Sequence, residues 1–147
     1  MVSKSIAIAA PVQTVYDTVV DFVSYPDFLP EMKAAKIDWC EDHQIDVTFR
    51  IYLVKEITYT LRFTLNPPHE VIWKLKRGDL MKKNSGRWKL DELEKGLTDA
   101  TYDLDVEFGL WVPKAVTEML VQKSLPDTLE RFKKRAEGAR KKKGSKK

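Results

Sequence analysis

Few side chains in this chain could do chemistry, and most of them are spaced like strand residues. Asn84, Ser85 and Arg87 stand just before Trp88 and are placed to hydrogen-bond the polar head of a ligand. Asp103, Asp105 and Glu107 alternate, so in a strand they share one face. Paired carboxylates are the usual acid–base equipment. Here Tyr102, Leu104, Val106 and Phe108 stand on the opposite face, so the acids belong to the wet side of a sheet. His43 and His69 both fall in polar turns, without cysteine or carboxylate partners at metal-binding spacing. There is no Gly-rich phosphate loop, no G-x-S-x-G and no H-E-x-x-H. The expectation is therefore no catalytic residue, no metal and no cofactor. Cys40 is the single cysteine, which excludes an internal disulfide and fits a reducing cytoplasm.

The elements that hold these residues are read from periodicity. Ser3–Ala9 alternates as a first strand, and Pro11 opens a helix with Val12, Val15, Tyr16, Val19 and Val20 on one face. Tyr25 to Pro30, with prolines at 26 and 30, predicts a short rigid turn presenting Tyr25, Phe28 and Leu29. Six strands follow: Ala34–Trp39, Ile45–Val54, Ile57–Leu65, a run through Val71, Trp73 and Leu75, Gly86–Leu90, and Ala100–Phe108. Each has one apolar and one polar face, the mark of an antiparallel sheet wetted on one side. Pro113 to Gly138 is the dominant helix, with Val116, Met119, Leu120 and Lys123 along one face and Leu125, Leu129, Phe132 and Ala136 continuing it. Pro126 predicts a kink near Gln122–Leu125.

At 147 residues the chain is expected to form one domain, and no apolar run approaches the roughly 20 residues of a membrane span. Charge is unevenly divided. From Arg131 onward ten Lys/Arg face one acid, while the remainder is net negative. Residues 139–147 form a basic tail that composition predicts to be disordered. Such a tail suits RNA, a ribosome or anionic lipid as readily as it suits plain solvation. Between the last strand and the helix, Gly109, Leu110 and Trp111 read either as a greasy lip over a pocket entrance or as a staple at the helix start.

Val20-Asp21-Phe22-Val23-Ser24-Tyr25-Pro26-Asp27-Phe28-Leu29-Pro30 resembles the V-D-x-x-x-Y-P-x-F-L-P segment of the START-like (SRPBCC) helix-grip superfamily. The likeness is closest to the polyketide cyclase/dehydrase branch that holds the coenzyme-Q-binding Coq10-like proteins and the ribosome-association toxin RatA. The A-P-V-x-x-V-Y-D start, the Gly78…Gly86-x-Trp88 strand and the proline-interrupted last helix extend it over about Lys4 to Glu137. The resemblance implies an α+β helix-grip (START/Bet v 1-like) fold, β-α-α-β6-α, with a curved antiparallel sheet wrapped around a long C-terminal helix. That domain would span 1–138, with 139–147 as its tail.

The resemblance also implies a hydrophobic cavity between sheet and helix. Its expected lining is Phe28, Leu29, Phe49, Ile51, Leu61, Phe63, Trp73, Trp88, Tyr102, Leu104, Val106, Val116, Met119 and Leu120. Tyr25, Leu110 and Trp111 would gate it, and Asn84 and Arg87 would supply polar contacts. The expected function is binding or carriage of a quinone, isoprenoid or lipid-like molecule by a cytoplasmic monomer or weak dimer that touches membranes transiently. The alternatives are a polyketide cyclase or dehydratase, with Tyr102, Arg87 or Asn84 polarising its substrate, and a RatA-like ribosome- or RNA-binding module.

Overall fold

Alternation of apolar and polar side chains builds a seven-stranded antiparallel sheet. In the computed structural model, which describes residues 2–53, 55–110 and 112–145 (side chains to 139, except at 121), the strands are β1 Val2–Ile8, β2 Met32–Glu41, β3 Gln44–Leu53, β4 Lys55–Asn66, β5 Glu70–Gly78, β6 Met81–Glu94 and β7 Leu97–Phe108. Their order across the sheet is β1-β7-β6-β5-β4-β3-β2. Consecutive strands from β2 to β7 pair as hairpins, and β1 closes beside β7 with Ile6 opposite Ala100. β6 is much longer than the Gly86–Leu90 core of its pattern, because Lys82, Lys83, Asp91, Glu92 and Glu94 mask the alternation at both ends.

Helices α1 (Val12–Val20) and α2 (Tyr25–Phe28), joined by a 3-10 turn at Phe22–Ser24, connect β1 to β2. The inward face of the sheet meets the long C-terminal helix, as a helix-grip architecture requires. That helix is built as α3 (Lys114–Met119), a π-helical turn (Leu120–Ser124) and α4 (Leu125–Ser145). Pro126 has no N–H to give, so a regular α-helical ladder cannot run through this point. The chain answers with one residue too many in the turn, and the Leu125 N–H reaches back to the Leu120 carbonyl. The expected kink is therefore a π-turn. Its extra residue corrects the predicted face: Lys123 is exposed, and Ser124 takes the buried position. Beyond it Leu125, Leu129, Phe132 and Ala136 are buried as periodicity predicts.

The helical backbone of α4 continues to Ser145. The tail expected to be disordered from 139 is thus helical over its described part, where the preceding turns supply the nucleus and Lys and Arg are good helix formers. On the outer face, Asp103 pairs with Arg87 and Asp105 with Lys83. Those acids are partners of surface cations.

Candidate functional site

Between the concave face of the sheet and the π-turn lies a cavity of about 140 Å³. Strands supply its wall because every second residue of an inward-curving strand points to the helix. Phe49 and Ile51 come from β3, Tyr59, Leu61 and Phe63 from β4, Trp73 from β5, Asn84 and Trp88 from β6, and Tyr102 and Leu104 from β7. Leu120, Ser124, Leu125, Thr128 and Phe132 close it from the helix. The aromatic rings are in mutual contact, from Phe22–Phe63 at 4.2 Å through Phe63–Trp73 at 5.9 Å and Trp73–Tyr102 at 5.3 Å to Trp88–Tyr102 at 4.8 Å. Such edge and offset contacts stiffen a wall beyond what area burial alone would do.

The polar groups of the wall are few and differently occupied. Asn84 is buried, and its Oδ1 accepts the indole N–H of Trp73 at 3.0 Å. Among the described residues its Nδ2 has only the thioether sulfur of Met81, at 3.5 Å. The Tyr25 hydroxyl donates to the Val19 carbonyl, which ties the Tyr25–Phe28 turn to α1. Burial pushes the acidity constants of Tyr25, Tyr59 and Tyr102 upward, so all three phenols stay neutral. Among the described residues, Glu31 is the sole charged residue of the lining.

The expected lining is assembled in large part. Leu29, Phe49, Ile51, Leu61, Phe63, Trp73, Trp88, Tyr102, Leu104, Leu120 and Asn84 all face the cavity. Four others do not reach it. Phe28 turns to the far side, edge-on to Phe132 at 5.1 Å with the Arg135 guanidinium over its other face. Val116 is sealed in the core, and Val106 and Met119 pack at its margin. Arg87 points outward to Glu70 and Asp103, as a residue one step from inward-facing Trp88 must. The gate fares differently at each of its three members. Tyr25 is a fixed wall residue, stacked on Phe49 at 5.8 Å. Leu110 is 93% exposed and away from the lining. Trp111 lies outside the described residues.

The pattern also missed contributors. Leu53, Leu125 and Phe132 carried the right periodicity, whereas Ser124 faces inward only because of the π-turn. Among the described residues no group of His, Cys, Asp and Glu could hold a metal ion, and no helix is long and apolar enough to cross a membrane.

The family model for polyketide cyclase/dehydrase and lipid transport matches residues 8–133. The chain belongs to this family. Solved START-like structures repeat its architecture. An aromatase/cyclase, ZhuI, from Streptomyces sp. R1128 superposes with a TM-score of 0.82 at 20% identity, covering 92% of each chain. A START superfamily protein from Mycobacterium smegmatis gives 0.80 at 25% identity, over 94% of this chain and 97% of that one. A STAR-related lipid transfer protein fragment from Xanthomonas axonopodis gives 0.76 at 14% identity, over 91% and 84%. No curated protein matches the chain significantly. These structures share the fold of this chain.

Proposed function

We propose that this polyketide cyclase/dehydrase and lipid transport family member binds, and thereby carries, an apolar small molecule of the quinone, isoprenoid or lipid-like kind. One observation carries the reading: a cavity of about 140 Å³ walled by aromatic and aliphatic side chains with only a handful of polar atoms. Small-molecule sites have this composition. Each 100 Å² of apolar ligand surface taken out of water contributes about 2.5 kcal/mol before the costs of ordering. The volume suits about one aromatic ring, since a cavity of roughly 150 Å³ holds benzene. A larger ligand requires the helix to shift, and the π-turn Leu120–Ser124 is the segment over the cavity with the least regular backbone bonding.

Native mass spectrometry of freshly purified protein, followed by solvent extraction, tests this. A stoichiometric apolar molecule released by the solvent is the expected result. An unliganded mass, together with failure of single-ring hydrocarbons to bind, would sink the proposal.

An enzymatic reading draws on one feature, the Tyr102 hydroxyl and Asn84 amide set in an apolar space where they would polarise a carbonyl. It has lost Arg87, and no histidine lines the cavity to move a proton. Turnover of a poly-ketone substrate that falls at least about tenfold in Tyr102→Phe would favour it.

A further inference from the structure

Three phenols line the cavity, and their hydroxyls are not equivalent. That of Tyr25 is already committed to the Val19 carbonyl. Those of Tyr59 and Tyr102 have no hydrogen-bond partner among the described residues. No side-chain nitrogen or oxygen sealed inside the described protein lacks a partner, so both hydroxyls must open onto the space they line. Tyr59 is only 8% exposed, so the space it can address is the cavity itself. The same reasoning holds for the Ser124 hydroxyl, 6% exposed and likewise without a partner among the described residues.

A hydroxyl that opens onto the cavity loses roughly 1–3 kcal/mol when an apolar ligand covers it without bonding to it, so a ligand that satisfies it avoids that loss. Tyr59 and Tyr102 approach from β4 and β7, on opposite sides of the Trp73 and Trp88 wall. Asn84 adds an N–H donor whose sole partner among the described residues is a thioether, a poor acceptor. The unfilled capacity of this cavity is therefore mainly donor capacity. Its charge balance points the same way. Among the described residues neither Lys, Arg nor His lines it, and Glu31 would repel an anion. A carboxylate brought in would shed its water with no counter-charge to replace it.

We propose that the cavity is selective for neutral molecules bearing a carbonyl oxygen, gripped by the hydroxyls of Tyr59 and Tyr102, and that it rejects carboxylates of the same shape. This rests on the reading of the cavity as a binding site and narrows its ligand class: a quinone or ketone fits, and an ionised fatty acid does not. Removing either hydroxyl leaves no protein group unsatisfied, so the Tyr→Phe variants keep the fold.

The experiment uses three single-ring probes of matched shape, ethylbenzene, acetophenone and benzoate, titrated into the full-length protein and followed by NMR chemical shifts. Ethylbenzene tests the cavity alone. The deciding quantity is the ratio of acetophenone to ethylbenzene affinity in the native protein against that in Tyr59→Phe/Tyr102→Phe. Taking the ratio cancels the cost of drying the ketone. The expected result is a fall in that ratio of about tenfold or more, with ethylbenzene affinity no lower in the variant and benzoate at least about tenfold weaker than acetophenone at neutral pH. An unchanged ratio, or benzoate binding as well as acetophenone, overturns the selectivity while leaving the cavity reading intact. Failure of ethylbenzene to bind overturns the cavity reading, and the selectivity falls with it.

Discussion

The indole of Trp73 lies directly on Gly86, its cross-strand partner between β5 and β6. A Cβ at position 86 would stand 2.4 Å from Trp73 Cζ2 and 2.2 Å from the backbone oxygen of Asp103. Both distances are far inside van der Waals contact, and the second obstacle is main chain that cannot swing away. Glycine at 86 is thus a requirement of the aromatic wall. Gly86→Ala is expected to destabilise by at least about 3 kcal/mol, since it strains the sheet and expels the indole together. For a domain of this size that lowers the melting temperature by roughly 6–12 °C. A melting curve within 2 °C of the native one would show that the ring can move aside.

The same indole depends on Asn84, which accepts its N–H. Asn84→Leu leaves that N–H buried without a partner and should cost about 1–3 kcal/mol in chemical denaturation. Replacing Trp73 by Phe at the same time removes the orphaned donor. The double variant is then expected to be more stable than the two single losses added together predict, by about 1 kcal/mol. Strict additivity would mean that the bond contributes nothing to stability.

Much of this was legible in the sequence because period-two alternation is a strong signal wherever one strand face is dry. Phe49, Phe63 and Trp88 each announce their direction through polar neighbours on both sides. The resemblance carried by the Tyr25–Pro30 segment named the fold, and the Gly86-x-Trp88 spacing marks the glycine on which Trp73 rests. What stayed hidden depends on contacts that one-dimensional pattern does not encode. Ser124 faces the cavity because a π-turn shifts the helix by one residue, which Pro126 hints at without fixing its form. Phe28 belongs to the right cluster but turns toward Phe132 and Arg135, a choice made by three-dimensional packing. Asp46 reads as an ordinary outward-facing acid and is instead fully covered.

Asp46 gives the structure a pH dependence. Its carboxylate accepts from Arg62 Nε at 2.8 Å and also pairs with Lys76, while Arg62 lies over the Trp39 ring. The hydrogen bond from Arg62, ahead of the Lys76 contact, holds its acidity constant down at about 2 from an ordinary value of 3.8. A carboxylate with a depressed folded value stabilises the protein above its unfolded value and loses that contribution as pH falls toward the folded one. Both cations are partly in solvent, so screening limits the contribution to about 1–2 kcal/mol. The stability difference between native protein and Asp46→Asn is therefore expected to be level above about pH 5 and to shrink between pH 4 and 2. A difference that does not change over that window would contradict the assignment.

Ser124 offers a way to separate the cavity's presence from its use. Its side chain is buried against the cavity and has no partner among the described residues, so a larger apolar group there projects into existing space. Ser124→Leu adds apolar groups worth about 0.8 kcal/mol for each buried methylene and fills part of the 140 Å³. The expected outcome is a melting temperature raised by a few degrees, an unchanged circular dichroism spectrum and loss of ethylbenzene binding. Ser124→Ala, which leaves the volume almost as it is, should keep both the native melting temperature and the binding. Lower stability in Ser124→Leu with binding retained would mean that the serine borders closed packing and that the ligand space lies elsewhere along the Trp73–Trp88 wall.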